Sequence, residues 1–149
     1  MRLYQTLCSA DLGDARCKAS LTGGAMRASC KVLAVENGAV FKLDPTGKVS
    51  GWFSGGAVEY AGKRLGTIRD HGERDGLNIV SLWAAPASSP KIGETVTLIA
   101  GCDKSFETCR SKFANQLNFR GFPHMPGNDL MLSYVRDGEV GMDGGSLFR

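Results

Sequence analysis

The sequence lacks any apolar run near the ~20 residues that cross a bilayer, so no membrane-spanning helix is expected. It has no block of five like charges, and its net charge is only +3. That balance gives no electrostatic footprint for sequence-specific nucleic-acid binding. Met1 to Ala10 carries one charge and no apolar centre, which does not read as a secretory signal. Histidine is scarce, with only His71 and His124. No serine sits in a nucleophile-elbow context, and the glycine pairs at 23–24, 55–56 and 144–145 lack the spacing of a phosphate cradle. Asp70, Glu73 and Asp75 cluster without an EF-hand pattern and read as a solvated turn. No repeat of 20–50 residues is visible. Together these absences point away from an enzyme.

What is present suits one globular domain over residues 1–149: 42% hydrophobic and 22% charged residues, with 20 glycines and five cysteines. Short β-prone stretches recur about every ten residues, with turn residues between them. They are Ala28–Val35, Val40–Leu43, Val49–Ser54, Ala57–Ala61, Gly66–His71, Leu77–Trp83 and Thr95–Ala100. Asn37-Gly38 and Asp44-Pro45-Thr46-Gly47 are turn signals. In Leu77–Trp83 the apolar set reads as Leu77, Ile79 and, after a shift, Leu82 and Trp83. This pattern predicts a mainly β domain, a small antiparallel barrel or sandwich occupying residues 28–100. Tight turns account for the glycine.

Past Gly101 the texture changes. Asp103–Leu117 is predicted as a helix: Asp103 can cap it, Glu107 lies early, and Arg110 and Lys112 lie late. Residues 118–129 (NFRGFPHMPGND) read as an ordered loop, and Leu130–Val135 as a last strand.

An odd number of cysteines excludes a fully paired disulfide framework within one chain. Cys8 and Cys17 form a C-x8-C pair, Cys102 and Cys109 a C-x6-C pair, and Cys30 stands alone in a strand. On a continuous helix Cys102, Phe106, Cys109 and Phe113 share one stripe. Two cysteines seven apart there lie about 10 Å apart, beyond the ~7 Å limit of a disulfide. Unwinding at Cys102, which follows a glycine, shortens that distance.

Three readings are open: small buried hydrophobes, two cross-paired disulfides, or a four-thiolate metal centre. Neither pair has the C-x2–4-C spacing usual for structural zinc, and wider spacing suits a larger inorganic body. The surroundings favour a metal centre. Arg16, Lys18, Lys104 and Arg110 flank the cysteines and offset thiolate charge, and Phe106, Phe113, Phe119 and Phe122 can shield them from water.

RLYQTLCSADLGDARC and AGCDKSFETCRSKFANQLNFRGFPHMPGND resemble the C-terminal domain of tail hub proteins of gene transfer agents and related long-tailed bacteriophages. GGAVEYAGKRLGTIRDH and LNIVSLW resemble that family more loosely. Tail-tip proteins of lambda-like phages share the C-x8-C and C-x6-C arrangement, where four cysteines hold a [4Fe–4S] cluster. The resemblance implies Cys8, Cys17, Cys102 and Cys109 as cluster ligands, on segments 1–20 and 100–129, with Cys30 a bystander. Arg16, Lys104, Phe106 and His124 are then candidates for the surroundings of the cluster, His124 as a donor to a sulfur or a substitute ligand. The implied role is a structural, non-enzymatic part of a tail tip or baseplate hub. The implied location is the virion, assembled in the bacterial cytoplasm. The implied partners are a distal tail ring, a central fibre and two further copies in a trimer. The family's hubs carry a further N-terminal half that builds the ring. A zinc-stabilised binding module and an electron-transfer iron–sulfur protein are the alternatives.

Overall fold

The computed structural model describes residues 5–124. Among these, six antiparallel strands close into a barrel in the order β1-β2-β5-β4-β3-β6. They are β1 Arg27–Glu36, β2 Val40–Leu43, β3 Ala57–Tyr60, β4 Lys63–Arg74, β5 Leu77–Leu82 and β6 Thr95–Ile99. β1 and β2 are joined through Asn37-Gly38, both at positive φ (49° and 68°), as a tight hairpin turn demands. β1 also pairs with β6, from Arg27↔Ile99 to Lys31↔Thr95, and so closes the barrel. Irregular register between Val32 and Ala34, and between Ile68 and Asp70, lets the long strands β1 and β4 bend around it.

The interior is filled by Val32, Phe41, Leu43, Phe53, Val58, Ile68, Val80, Leu82, Val96 and Leu98, with Cys30 among them. Burial alternates strictly along β5: Asn78, Val80 and Leu82 point inwards and Leu77 and Ile79 outwards, so the apolar reading holds at Leu82 and is out of phase at Leu77 and Ile79. Trp83 is largely exposed. The phase is set by Asn78, whose amide donates to the Asp44 carbonyl (2.8 Å) and Thr46 Oγ1 (3.0 Å) from inside the barrel.

Val49–Ser54 is not a strand. It is a run of turns, with Trp52 N–H to Val49 O and Ser54 N–H to Gly51 O, that inserts Phe53 into the core. Nor do all the glycines serve turns. At Gly56 and Gly101 a Cβ would collide with facing backbone, Gly56 against Ile99 O and Gly101 against Ser54 O. The chain at 54–56 therefore packs directly on the chain at 99–101, which fixes Cys102 just beyond the barrel.

The helix is much shorter than Asp103–Leu117. α1 spans Phe106–Ser111, and a single 3-10 turn follows at Gln116–Asn118. Lys104 and Ala114, at φ 66° and 48°, interrupt the helix on either side. Ser105 caps α1, its Oγ accepting from Thr108 N–H at 3.1 Å. Asp103 holds this cap from outside, accepting from Ser105 N–H and Thr108 Oγ1 (both 2.9 Å). Cys102 thus lies off the helix rather than on one stripe with Cys109. Leu130–Val135 lies outside the described residues.

No helix among the described residues is long and apolar enough to cross a membrane.

Candidate functional site

The cysteine-bearing segments precede β1 and follow β6, two strands that are neighbours in the barrel. Backbone hydrogen bonds sew the segments together: Cys8 N–H to Lys104 O (2.8 Å), Ser9 N–H to Arg120 O (3.1 Å) and Phe122 N–H to Gln5 O (2.9 Å). Gly121 makes the last approach possible, since a Cβ there would stand 2.6 Å from Leu7 O. The result is one cavity lined by Cys8, Cys17, Cys102 and Cys109, with Lys104, Phe113 and Asn115 among its other walls. The cavity is narrow, with room for about one water molecule, and opens to solvent. All five cysteines are free thiols. Cys30 is apart from the cavity, inside the barrel.

Each cysteine is held by a specific device. Cys17 sits in a loop organised by Asp14, whose carboxylate accepts from Cys17 N–H (2.6 Å), Arg16 N–H (2.9 Å) and Asp11 N–H (3.2 Å). The hydrogen bond from Cys17 leads in holding the Asp14 carboxyl below its ordinary range. Cys109 is the buried residue of α1. Its thiol donates to Asn115 O (3.3 Å). The other three sulfurs accept: Cys8 Sγ from Arg120 N–H (3.4 Å), Cys102 Sγ from Lys104 N–H (3.4 Å), and Cys17 Sγ from the Asn115 amide (3.6 Å).

Burial, and then the neighbouring Cys8, Cys102 and Cys17, push the Cys109 thiol up. Burial also raises Cys102, partly countered by the hydrogen bond from Lys104 N–H. The thiols thus sense one another as ionisable groups, and a cationic body among them would reverse that mutual penalty. Among the described residues no three His, Cys, Asp or Glu side chains are gathered tightly enough to grip a single metal ion.

The flanking residues take different places. Lys104 lines the cavity and donates through Nζ to Ala10 O and to Asp11 Oδ1 (3.3 Å), tying both segments. Arg16 points outwards, bonded to Ser9 O (3.0 Å) and Asp14. Arg110 pairs with Glu107 on the exposed side of α1. Phe106 packs edge-on against Phe119 (5.1 Å between centroids) and His124 (6.2 Å). The His124 ring therefore rests on Phe106, and is not among the cavity walls.

Three contributors were not legible in the sequence: Asp14, Asn115 and Lys112. Lys112 Nζ donates to Trp52 O (2.5 Å) and Gly101 O (2.7 Å) beneath the Trp52 ring, stapling the turn before Cys102 to the barrel. Only an Asp three residues before Cys17 gave any signal, as a turn-former.

A chain in the virion of a native gene transfer agent (GTA) particle is 37% identical, with a TM-score of 0.78, over 99% of this chain and 52% of that one. This chain thus spans about half the length of the solved chain it matches. None of the curated proteins is similar enough to count as a match. Residues 51–129, more than half of the chain, match the model of the family described as phage conserved hypothetical protein BR0599, and the chain belongs to that family.

Proposed function

We propose that this chain is a component of the tail-tip hub of a phage or gene-transfer-agent particle, stabilised by a [4Fe–4S] cluster on Cys8, Cys17, Cys102 and Cys109. Its coarser part, a structural protein located in the virion among other virion proteins, follows from the family and the likeness to a GTA virion chain. The finer part rests on one observation: four thiols from segments at opposite ends of the barrel sequence line one cavity.

The residues fit such a group. Backbone or amide N–H groups already point at three of the sulfurs. A cluster of this kind holds its four ligand sulfurs farther apart than one zinc ion bonded at about 2.3 Å. When bound, the cluster supplies four iron–thiolate bonds as a covalent cross-link. The chain supplies the rest. Asp14 orients Cys17, Ser105 and Asp103 set the start of the helix carrying Cys109, and the Gly56–Gly101 contact fixes Cys102. Linking residue 8 to residue 109 closes a loop of about a hundred residues, worth roughly 4–5 kcal/mol in lost unfolded-state entropy. Metal affinity thereby becomes folding free energy. Such a tie suits a part that must stay folded under mechanical load, and the role is non-enzymatic. The partners we propose are a distal tail ring, a central fibre and two further copies around a three-fold axis.

Anaerobic purification followed by iron, sulfide and zinc analysis tests the reading. A brown protein with about four irons and four sulfides per chain is expected. A colourless protein with one zinc overturns the cluster, and a cluster that cycles reversibly with a partner reductant moves the role to electron transfer.

A further inference from the structure

We infer that Asn115 is the positioning residue of the cysteine site, holding one cysteine from each segment. Its side-chain amide donates to the Cys17 carbonyl (2.5 Å) and lies 3.6 Å from Cys17 Sγ, across 98 positions of sequence. Its backbone N–H donates to Cys109 O (2.9 Å), and its backbone carbonyl accepts the Cys109 thiol (3.3 Å). One residue therefore sets where the Cys17 loop stands relative to α1.

The local backbone is shaped for this. α1 ends before Ala114, which adopts φ 48°, a left-handed conformation that alanine rarely takes. That residue turns the chain so that Asn115 faces back towards Cys17. Asn115 occupies the N-cap position of the 3-10 turn, yet its side chain makes no capping bond there. Its Oδ1 instead accepts from Asn118 Nδ2 (2.6 Å), which fixes the amide orientation and aims Nδ2 at Cys17.

Two consequences follow. In the metal-free chain, Asn115 keeps Cys17 buried beside Cys109 and so pre-forms the cavity. With a cluster bound, which rests on the function proposed above, the N–H directed at Cys17 sulfur withdraws electron density and raises the reduction potential.

The test uses the whole chain with Asn115→Ala, and Asn118→Ala as a second variant that frees the amide without touching a cysteine. In metal-free protein, alkylation by iodoacetamide is followed at each cysteine by mass spectrometry, with buried Cys30 reporting that the barrel is folded. Cys17 is expected to react several-fold faster in Asn115→Ala, and to a lesser degree in Asn118→Ala, with Cys30 unchanged. Equal Cys17 rates in all three proteins overturn the inference, whether or not the wild type holds iron. Faster Cys17 labelling in a chain whose wild type holds no iron upholds the positioning role and sinks the cluster. In iron-loaded protein the midpoint potential of Asn115→Ala is expected to be more negative than wild type. An unchanged potential removes the tuning role.

Discussion

Inside the barrel, His71 Nε2 faces Asn78 Oδ1 at 3.3 Å, and His71 Nδ1 has no hydrogen-bond partner among the described residues. The Asn78 amide is committed to Asp44 and Thr46, so its oxygen is the acceptor and His71 Nε2 carries the proton. His71 is 1% exposed and meets the Phe53 ring edge-on at 5.0 Å. A second proton, on Nδ1, would be buried without an acceptor.

Stability should therefore fall on mild acidification. Burial leads in pushing the His71 pKa below its ordinary 6.5; Lys112 adds to this, while the Asn78 bond, Asp70 and Glu73 oppose it. Below 6.5 the unfolded state binds the extra proton more readily than the folded one. The contribution of His71 is complete above that pH and is lost as pH falls towards the lowered folded value. Urea midpoints measured between about pH 7 and pH 5 should show the slope. His71→Leu should flatten it while costing about 1–3 kcal/mol, because Asn78 Oδ1 loses its donor. An unaltered slope in that variant would assign the effect to another group.

Gly101→Ala is expected to be among the most damaging single changes, at about 3 kcal/mol. Its methyl group would collide with Ser54 O, Gly56 N and Gly55 C, all backbone that cannot swing aside. The same displacement moves Cys102, so iron content should fall along with the denaturation midpoint. Normal melting with normal iron content would show that the two chain segments can part without cost.

Asp14→Ala should loosen the Cys17 loop, since three backbone N–H groups lose one acceptor. Asp14→Asn, which keeps an acceptor oxygen, should retain most of the metal. Because the folded Asp14 pKa is lowered from 3.8, its contribution is complete above that value and lost as pH falls through the folded one. Iron release to a chelator, followed against pH in the three proteins, reads both effects. Identical release curves for Asp14→Ala and wild type would contradict the assigned role.

Cys109→Ser and Cys30→Ser should separate cleanly. The first removes a cavity thiol and is expected to lose the metal and lower the thermal midpoint well beyond an ordinary point change. The second should leave iron content unchanged. Cys30 lies inside the barrel, apart from the cavity walls, and burial, with Asp44 nearby, pushes its thiol up to about 11. A Cys109→Ser protein that melts like wild type would sink the cross-link.

The barrel was largely legible because turn chemistry and strand propensity agree locally: Asn37-Gly38 marks the β1–β2 turn, and Val40–Leu43 is β2 to the residue. Two misreadings share one cause. A polar Asn78 turned inwards, and a β-prone Val49–Ser54 folded as turns, because each answers to partners distant in sequence. The helix was overextended since propensity does not register the left-handed Lys104 and Ala114 at its borders. The cysteine spacing singled out two pairs whose four thiols line one cavity. Lys112 and Asn115 stayed hidden, because what they hold is backbone brought near only by the closed barrel, whereas Asp14 organises a local turn whose link to the site no spacing marks.

The β1–β6 pairing acts as a ruler for the cysteine site. Arg27 opposite Ile99 lies nearest the cavity, while the Ala61–Gly62 turn and the 84–93 loop attach to the opposite ends of β3 and β6. A change of length at that far rim leaves the strand ends that carry the cysteine segments in place. A one-residue slip between β1 and β6, about 3.4 Å, would shift the roots of the two cysteine segments against each other. The molecule therefore has one rim that carries the cysteine site and one that does not, divided by the height of the barrel.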